Sequence, residues 1–264
     1  MNMRPSKVLN LLRKGEIACC TKLNLADSRA VEIVGIAGFD CAWTDMEHVP
    51  NDLSQVEKQI LAAKAYGMDC LVRVPRGSYS SLVWPLEMDA TGIMVPHCMS
   101  AEEAKKVVRT TRFHPFGLRP VDSGNSDGPF CLRPMEEYMR FSNEQKFAVL
   151  QIEDKEAVDC MEDIVAVDGV DVFFIGPADL SHSYGVPGQM THASVQGAID
   201  KLAALCKKYN RHWGMPCGPE KAPELIAKGA QFLAAGADVI AIIEMFKKMR
   251  EGYKAAGLTF EAEF

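Results

Sequence analysis

Eight short apolar runs recur along the 264 residues, each set off by a stretch with helical spacing, and this alternation limits the fold more than any other property of the chain. The runs are IACCTKLNL, FDCAWTDMEH, DCLVRVP, TGIMVP, FAVLQIE, DVFFIG, HWGMPCG and QFLAAGA. The intervening segments, among them SRAVEIVGIAGFD, LSQVEKQILAAKAYG and THASVQGAIDKLAALCKKYN, carry the helical period, and several stop at a glycine. Strict alternation implies a parallel sheet covered by helices, because parallel neighbours need a long crossover between them. At this length and count the best closure is an α/β fold of the (β/α)8 TIM-barrel type, one domain over residues 1–264. An open doubly wound sheet is the alternative, weakened by the lack of a G-x-G-x-x-G after the first strand.

Composition excludes several classes. Hydrophobic residues make up 48% and charged residues 24%, ordinary values for a globular chain. A net charge of -6 argues against a nucleic-acid surface. Nine cysteines include no C-x-x-C pair, and Cys41, Cys70 and Cys206 lie in apolar patterns, which reads as reduced packing thiols in a cytoplasmic protein. No signal peptide is visible at the start, and no apolar run approaches the roughly 18 residues of a membrane span.

A barrel of this type works at the C-terminal edge of its strands. The second strand delivers Asp45, Glu47 and His48 to that edge, the third Arg73, the fourth His97, the fifth Gln151 and Glu153, and the sixth Asp179 in the turn GPADLS. Two carboxylates at adjacent strand ends, Glu153 and Asp179, can hold one hard divalent cation or divide acid and base work; they can also be solvated loop acids. His48 can cap the helix that begins near Asn51 and Asp52, and Asp45 can be a plain hydrogen-bond acceptor. His97 and Cys98 read as structural. Arg73 alternates with Val72 and Val74, so it points the other way from them and needs an anionic partner. The segment FHPFGLRPVDSGNSDGPF is too rich in Gly, Pro, Asn and Asp for regular structure, and a loop of that length is expected to be a lid or binding loop. The segment EMFKKMREGYKAAG is an amphipathic closing helix.

These pieces together resemble the HpcH/HpaI aldolases, class II pyruvate aldolases acting on 2-keto-3-deoxy sugar acids and related hydroxy-oxo diacids. The resemblance is carried by FDCAWTDMEHVPND, LVRVP, GIMVP, LQIED and GVDVFFIGPADLS, with AAGAD near the end, in the same order over almost the whole chain. It implies a modified (β/α)8 barrel assembled as a hexamer, a trimer of dimers with a C-terminal helix exchanged between neighbours. It implies that Glu153 and Asp179 are ligands of a divalent metal, commonly Mg, Mn or Co. Arg73 then matches the residue at the keto oxygen, and His48 with Asp45 the proton-transfer pair. Backbone N–H groups of Ala178 and Asp179 are expected to hold the pyruvate carboxylate, with Gln151 as a further hydrogen bonder.

The expected reaction is cleavage of a 4-hydroxy-2-oxo acid into pyruvate and an aldehyde. An oxaloacetate decarboxylase, an acyl-CoA lyase and a non-catalytic 2-oxo-acid binding protein are the alternatives; the CoA version lacks a basic cluster. A Schiff-base aldolase is disfavoured because DVFFIG has no lysine and Lys22 is the one obvious strand lysine. The chain departs from the family pattern at Glu87, Asp89, Pro120, Asp154 and Cys160. None of these removes a metal ligand, Arg73 or His48. The loop from Phe113 to Phe130 is therefore where aldehyde specificity is expected to reside.

Overall fold

The computed structural model describes residues 3–261. In chain order the elements are α1 (Lys7–Arg13), β1 (Ala18–Leu23), α2 (Ser28–Ile36), β2 (Cys41–Asp45), α3 (Leu53–Ala65), β3 (Asp69–Arg73), α4 (Tyr79–Glu87), β4 (Gly92–Val95) and α5 (Ala101–Thr111). They continue with α6 (Met135–Gln145), β5 (Phe147–Ile152), α7 (Lys155–Asp159), α8 (Met161–Val165), β6 (Val172–Ile175), α9 (Pro177–Ser183), α10 (Ala193–Tyr209), β7 (His212–Pro216), α11 (Ala222–Ala227), β8 (Phe232–Ala237) and α12 (Asp238–Ala255). All neighbouring strands pair in parallel, and β1 pairs β8 to close the barrel. The eight runs read from the sequence are its eight strands.

Period-two alternation divides each strand between two cores. Cys20 on β1, Trp43 on β2, Leu71 on β3, Val149 on β5, Phe174 on β6 and Phe232 on β8 point inward and fill the barrel. Trp43 meets Phe174 edge-on at 5.6 Å between ring centroids, and Phe174 meets Phe232 in the same way at 6.1 Å. The plug is thus apolar, with aromatic rings at its centre. The outward positions, such as Val72, Ile93, Leu150 and Phe173, pack under the helices. Side-chain caps start several helices where the sequence offers them, including Ser6 for α1, Asp52 for α3 and Ser100 for α5.

Four features differ from the sequence reading. The helix between β5 and β6 breaks at Cys160, whose backbone leaves the helical region and whose thiol donates to Met99 O at 3.1 Å. GPADLS is not a bare turn: Pro177 opens α9, its fixed φ suiting a first helical position. The last helix begins six residues earlier than Glu244, at Asp238, whose carboxylate accepts from the N–H groups of Asn24 and Leu25 and so ties the helix start to the end of β1.

The fourth difference concerns the long excursion. It follows α5 and therefore lies at the N-terminal end of the strands, where Asp127 N donates to Glu87 O, Lys64 Nζ donates to Ser126 Oγ, and Arg119 pairs with Asp127 at 2.7 Å in full burial. A loop there cannot close over the C-terminal mouth of its own barrel, so the expectation of a lid on that mouth is corrected by topology. Asp89 lies at the same end, with φ 75°, held by Lys64 at 2.7 Å and by Lys146. Burial opposes its ionisation, but the two lysines outweigh it and lower its pKa. Two ammonium groups thus anchor a side chain in backbone geometry that usually favours glycine.

Candidate active site

The inward positions one step beyond the aromatic plug are polar. By alternation Lys22 follows Cys20, Asp45 follows Trp43, Arg73 follows Leu71 and Gln151 follows Val149. Asp45 and Arg73 are direct partners in the β2–β3 register. Arg73 Nε donates to Asp45 Oδ1 at 2.9 Å and Nη2 to Oδ2 at 2.5 Å, a bidentate pair with the guanidinium 4.9 Å from the Trp43 ring. Asp45 also accepts from Glu47 N at 3.0 Å and lies 3.0 Å from Lys22 Nζ. Burial works against its negative charge, but the Arg73 bonds and charge, the Glu47 N–H and Lys22 outweigh it and hold the pKa at about 2.

Arg73 Nη1 is less committed. It lies 3.4 Å from Gln151 Oε1 and 3.1 Å from Glu47 Oε2, an oxygen that is buried without an aligned hydrogen bond. Gln151 Nε2 in turn donates to Glu153 Oε2 at 2.9 Å. A continuous polar rail therefore crosses the mouth, from Glu153 through Gln151, Arg73 and Asp45 to Lys22.

Glu153 is 1% exposed, and Asp179, in the first turn of α9, is exposed. Burial, with the charges of Asp179 and Glu47, raises the Glu153 pKa to about 7 even though His97 opposes the shift. Gly176 passes so close that a Cβ there would stand 2.3 Å from Glu153 Oε2, so only glycine lets the turn lie over this carboxylate. The N–H groups of Ala178 and Asp179 belong to the first turn of α9 and have no acceptor within the helix.

His48 is half-exposed on the loop beyond β2. Its Nε2 lies 3.6 Å from Glu47 Oε2, and it meets Asp45 through its backbone N–H, 3.5 Å from Oδ1. The cap of α3 is supplied by Asp52, which accepts from Gln55 N at 2.9 Å, so the imidazole is not used for that purpose. Sequence reasoning underrated His97. Its N–H donates to Glu153 Oε1 at 2.9 Å, its Nδ1 lies 2.8 Å from Asp154 Oδ2, and its Nε2 lies 3.7 Å from Glu47 Oε1. Burial would lower the His97 pKa, yet the Asp154 bond and the charges of Glu153, Asp154 and Glu47 prevail and raise it. Cys98 is a buried packing residue.

Among the described residues no three His, Cys, Asp or Glu side chains converge into a complete metal cage. The donor set nevertheless fits a divalent cation. Glu153 and Asp179 carry hard carboxylate oxygens close enough for one charge to act on the other, and Glu47 adds a third carboxylate and an orphaned oxygen. Two carboxylates would leave coordination positions for water and a chelating substrate. A separate cavity of about 890 Å3, lined by Lys105, Arg109, Phe116 and Asp163, lies outside the barrel beside α5 and α8 and contains none of these groups.

Comparison with known proteins identifies the family. A curated 2-keto-3-deoxy-L-rhamnonate aldolase from Escherichia coli O17:K52:H18 is 32% identical over 254 residues, covering 93% of this chain and 95% of the relative. The crystal structure of an HpcH/HpaI aldolase from Desulfitobacterium hafniense DCB-2 superposes with a TM-score of 0.88 at 29% identity, over 96% of this chain and 98% of that one. The crystal structure of citrate synthase SbnG superposes with a TM-score of 0.86 at 26% identity, over 94% and 98%. Residues 23–244 match the model of the HpcH/HpaI aldolase/citrate lyase family, and the chain is therefore an enzyme belonging to that family.

Proposed function

We propose that the chain is a divalent-metal-dependent aldolase that cleaves a 4-hydroxy-2-oxo acid to pyruvate and an aldehyde. The observation that carries this reading is the rail from Glu153 through Gln151, Arg73 and Asp45 to Lys22, with His48 beside Glu47 on the loop beyond β2 at the same barrel mouth. Glu153 and Asp179 would hold the cation, which when bound would supply Lewis-acid polarisation of the 2-oxo acid.

The remaining roles fall to the chain's own groups. The free N–H donors of Ala178 and Asp179 bind the substrate carboxylate at the positive end of a short helix. Arg73, locked by Asp45 through Nε and Nη2, offers Nη1 to the keto oxygen, where negative charge grows as the carbon–carbon bond breaks. Its two fixed bonds mean that little reorganisation is needed at that moment. His48 accepts the proton of the 4-hydroxyl through its imidazole, whose Nε2 lies 3.6 Å from Glu47 Oε2. Gln151 spans Arg73 and Glu153 and fixes their separation. Removal of metal by EDTA should abolish pyruvate release, and Mg, Mn or Co should restore it. Full activity after verified metal removal would overturn the reading.

We also infer a homo-oligomer, a hexamer built from dimers, in which α12 is exchanged between subunits. Supporting this, no residue of α12 is buried, and Ile240, Phe246 and Tyr253 are each more than half exposed. An apolar helix of this length calls for a partner surface. The absence of disulfides among nine cysteines suits a reducing, cytoplasmic setting.

A further inference from the structure

We propose that Lys22 selects the aldehyde half of the substrate by pairing with a carboxylate at its far end, so that the natural substrates are 4-hydroxy-2-oxo diacids. This inference rests on the aldolase reading of the site.

Lys22 is inward-facing by the alternation of β1, following Ala18 and Cys20 of the barrel plug. Its stem runs beside Trp43, with Nζ 5.8 Å from the ring centroid, and its side chain is 21% exposed where that of Asp45 is fully buried. Asp45 does not require it for charge balance: the guanidinium of Arg73 already engages both oxygens. An ammonium has three N–H donors, and Asp45 occupies one of them. The other two are left for the mouth of the barrel.

Its position supplies the rest of the argument. The rail runs from β5 through β3 and β2 to β1, with Glu153 at one end and Lys22 at the other. With the 2-oxo acid end at Glu153 and Asp179 and the keto oxygen at Arg73, the carbons beyond the 4-hydroxyl extend toward β1. A neutral aldehyde fragment would leave a partly desolvated ammonium facing it without a partner, whereas a carboxylate completes the pair. The long loop, at the opposite end of this barrel, cannot perform that selection from within the same chain.

The test compares a 4-hydroxy-2-oxo diacid with the monoacid in which a methyl replaces the terminal carboxylate, using wild type, Lys22→Met and Lys22→Arg with metal added. Wild type should favour the diacid in kcat/KM. Lys22→Met should reduce that preference roughly 10- to 100-fold, the range of one charge-assisted hydrogen bond, mainly through KM for the diacid. Lys22→Arg should retain most of it. Equal losses on both substrates in Lys22→Met would show that Lys22 only positions Asp45, and would overturn the proposal. If wild type turns over neither substrate, the aldolase reading fails; calorimetric binding of the two acids to wild type and Lys22→Met then decides the role of Lys22, equal affinities refuting it.

Discussion

Replacing Asp45 by Asn separates charge from shape at the centre of the rail. The substitution keeps an oxygen for Glu47 N–H but takes from Arg73, 3% exposed, the counter-ion of its Nε and Nη2, leaving only Glu47 3.1 Å from Nη1, and Lys22 beside it. Removing one partner of a buried pair costs about 3–5 kcal/mol, because the other charge stays desolvated. At ~2–4 °C per kcal/mol for a chain of this size, the unfolding midpoint should drop by about 10 °C. The pH dependence identifies the cause. Asp45 has a depressed folded pKa of about 2, so its stabilisation is present above the unfolded value, roughly 4, and is lost only as pH falls toward 2. The difference between wild type and Asp45→Asn in urea unfolding should therefore be constant from pH 5 to 9. Adding Arg73→Met should recover part of the loss, since the stranded cation is then gone. A wild-type midpoint for Asp45→Asn, or a difference that varies across that pH window, would refute the reasoning.

Other outcomes follow from the same geometry. Because Glu153 titrates near 7, it is increasingly protonated below that pH, and calorimetric affinity for Mn should fall about tenfold per pH unit there; Glu153→Gln should remove both the binding and its pH dependence, and a flat profile from pH 6 to 8 would contradict the ligand role. His48→Ala should reduce kcat by roughly 100- to 10,000-fold while leaving pyruvate binding within about twofold of wild type, so an active variant would remove His48 from proton transfer. Deleting residues 244–264, which spares the Asp238 anchor, should give a smaller assembly by light scattering; an unchanged mass would defeat the exchange of α12.

Much of this was legible in the sequence because the barrel is periodic. Eight apolar runs separated by helical stretches admit few closures, and alternation alone points Arg73 and Asp45 away from Val72 and Thr44. What stayed hidden depends on distant partners. His97 reads as structural locally, yet its N–H reaches a carboxylate 56 residues later, with its own backbone at φ 51°. Lys22 reads as a lone strand lysine until the closed barrel brings it against Asp45 on the next strand. The excursion after α5 has the composition of a lid, but composition does not say at which end of a barrel a loop emerges; that follows from counting strand and helix directions. The start of α9 was missed because a Gly-Pro pair marks turns and helix starts alike.

Gly176 and Glu153 form a single steric choice. A carboxylate on a long side chain can tuck under the turn after β6 only because position 176 contributes no Cβ. Shortening the acid to aspartate would withdraw the carboxyl group and release the demand for glycine, but would also move the oxygen away from Gln151 and His97, which now hold it. The position of one prospective metal ligand is therefore written twice in the chain, once as a glutamate and once, 23 residues later, as the absence of a side chain.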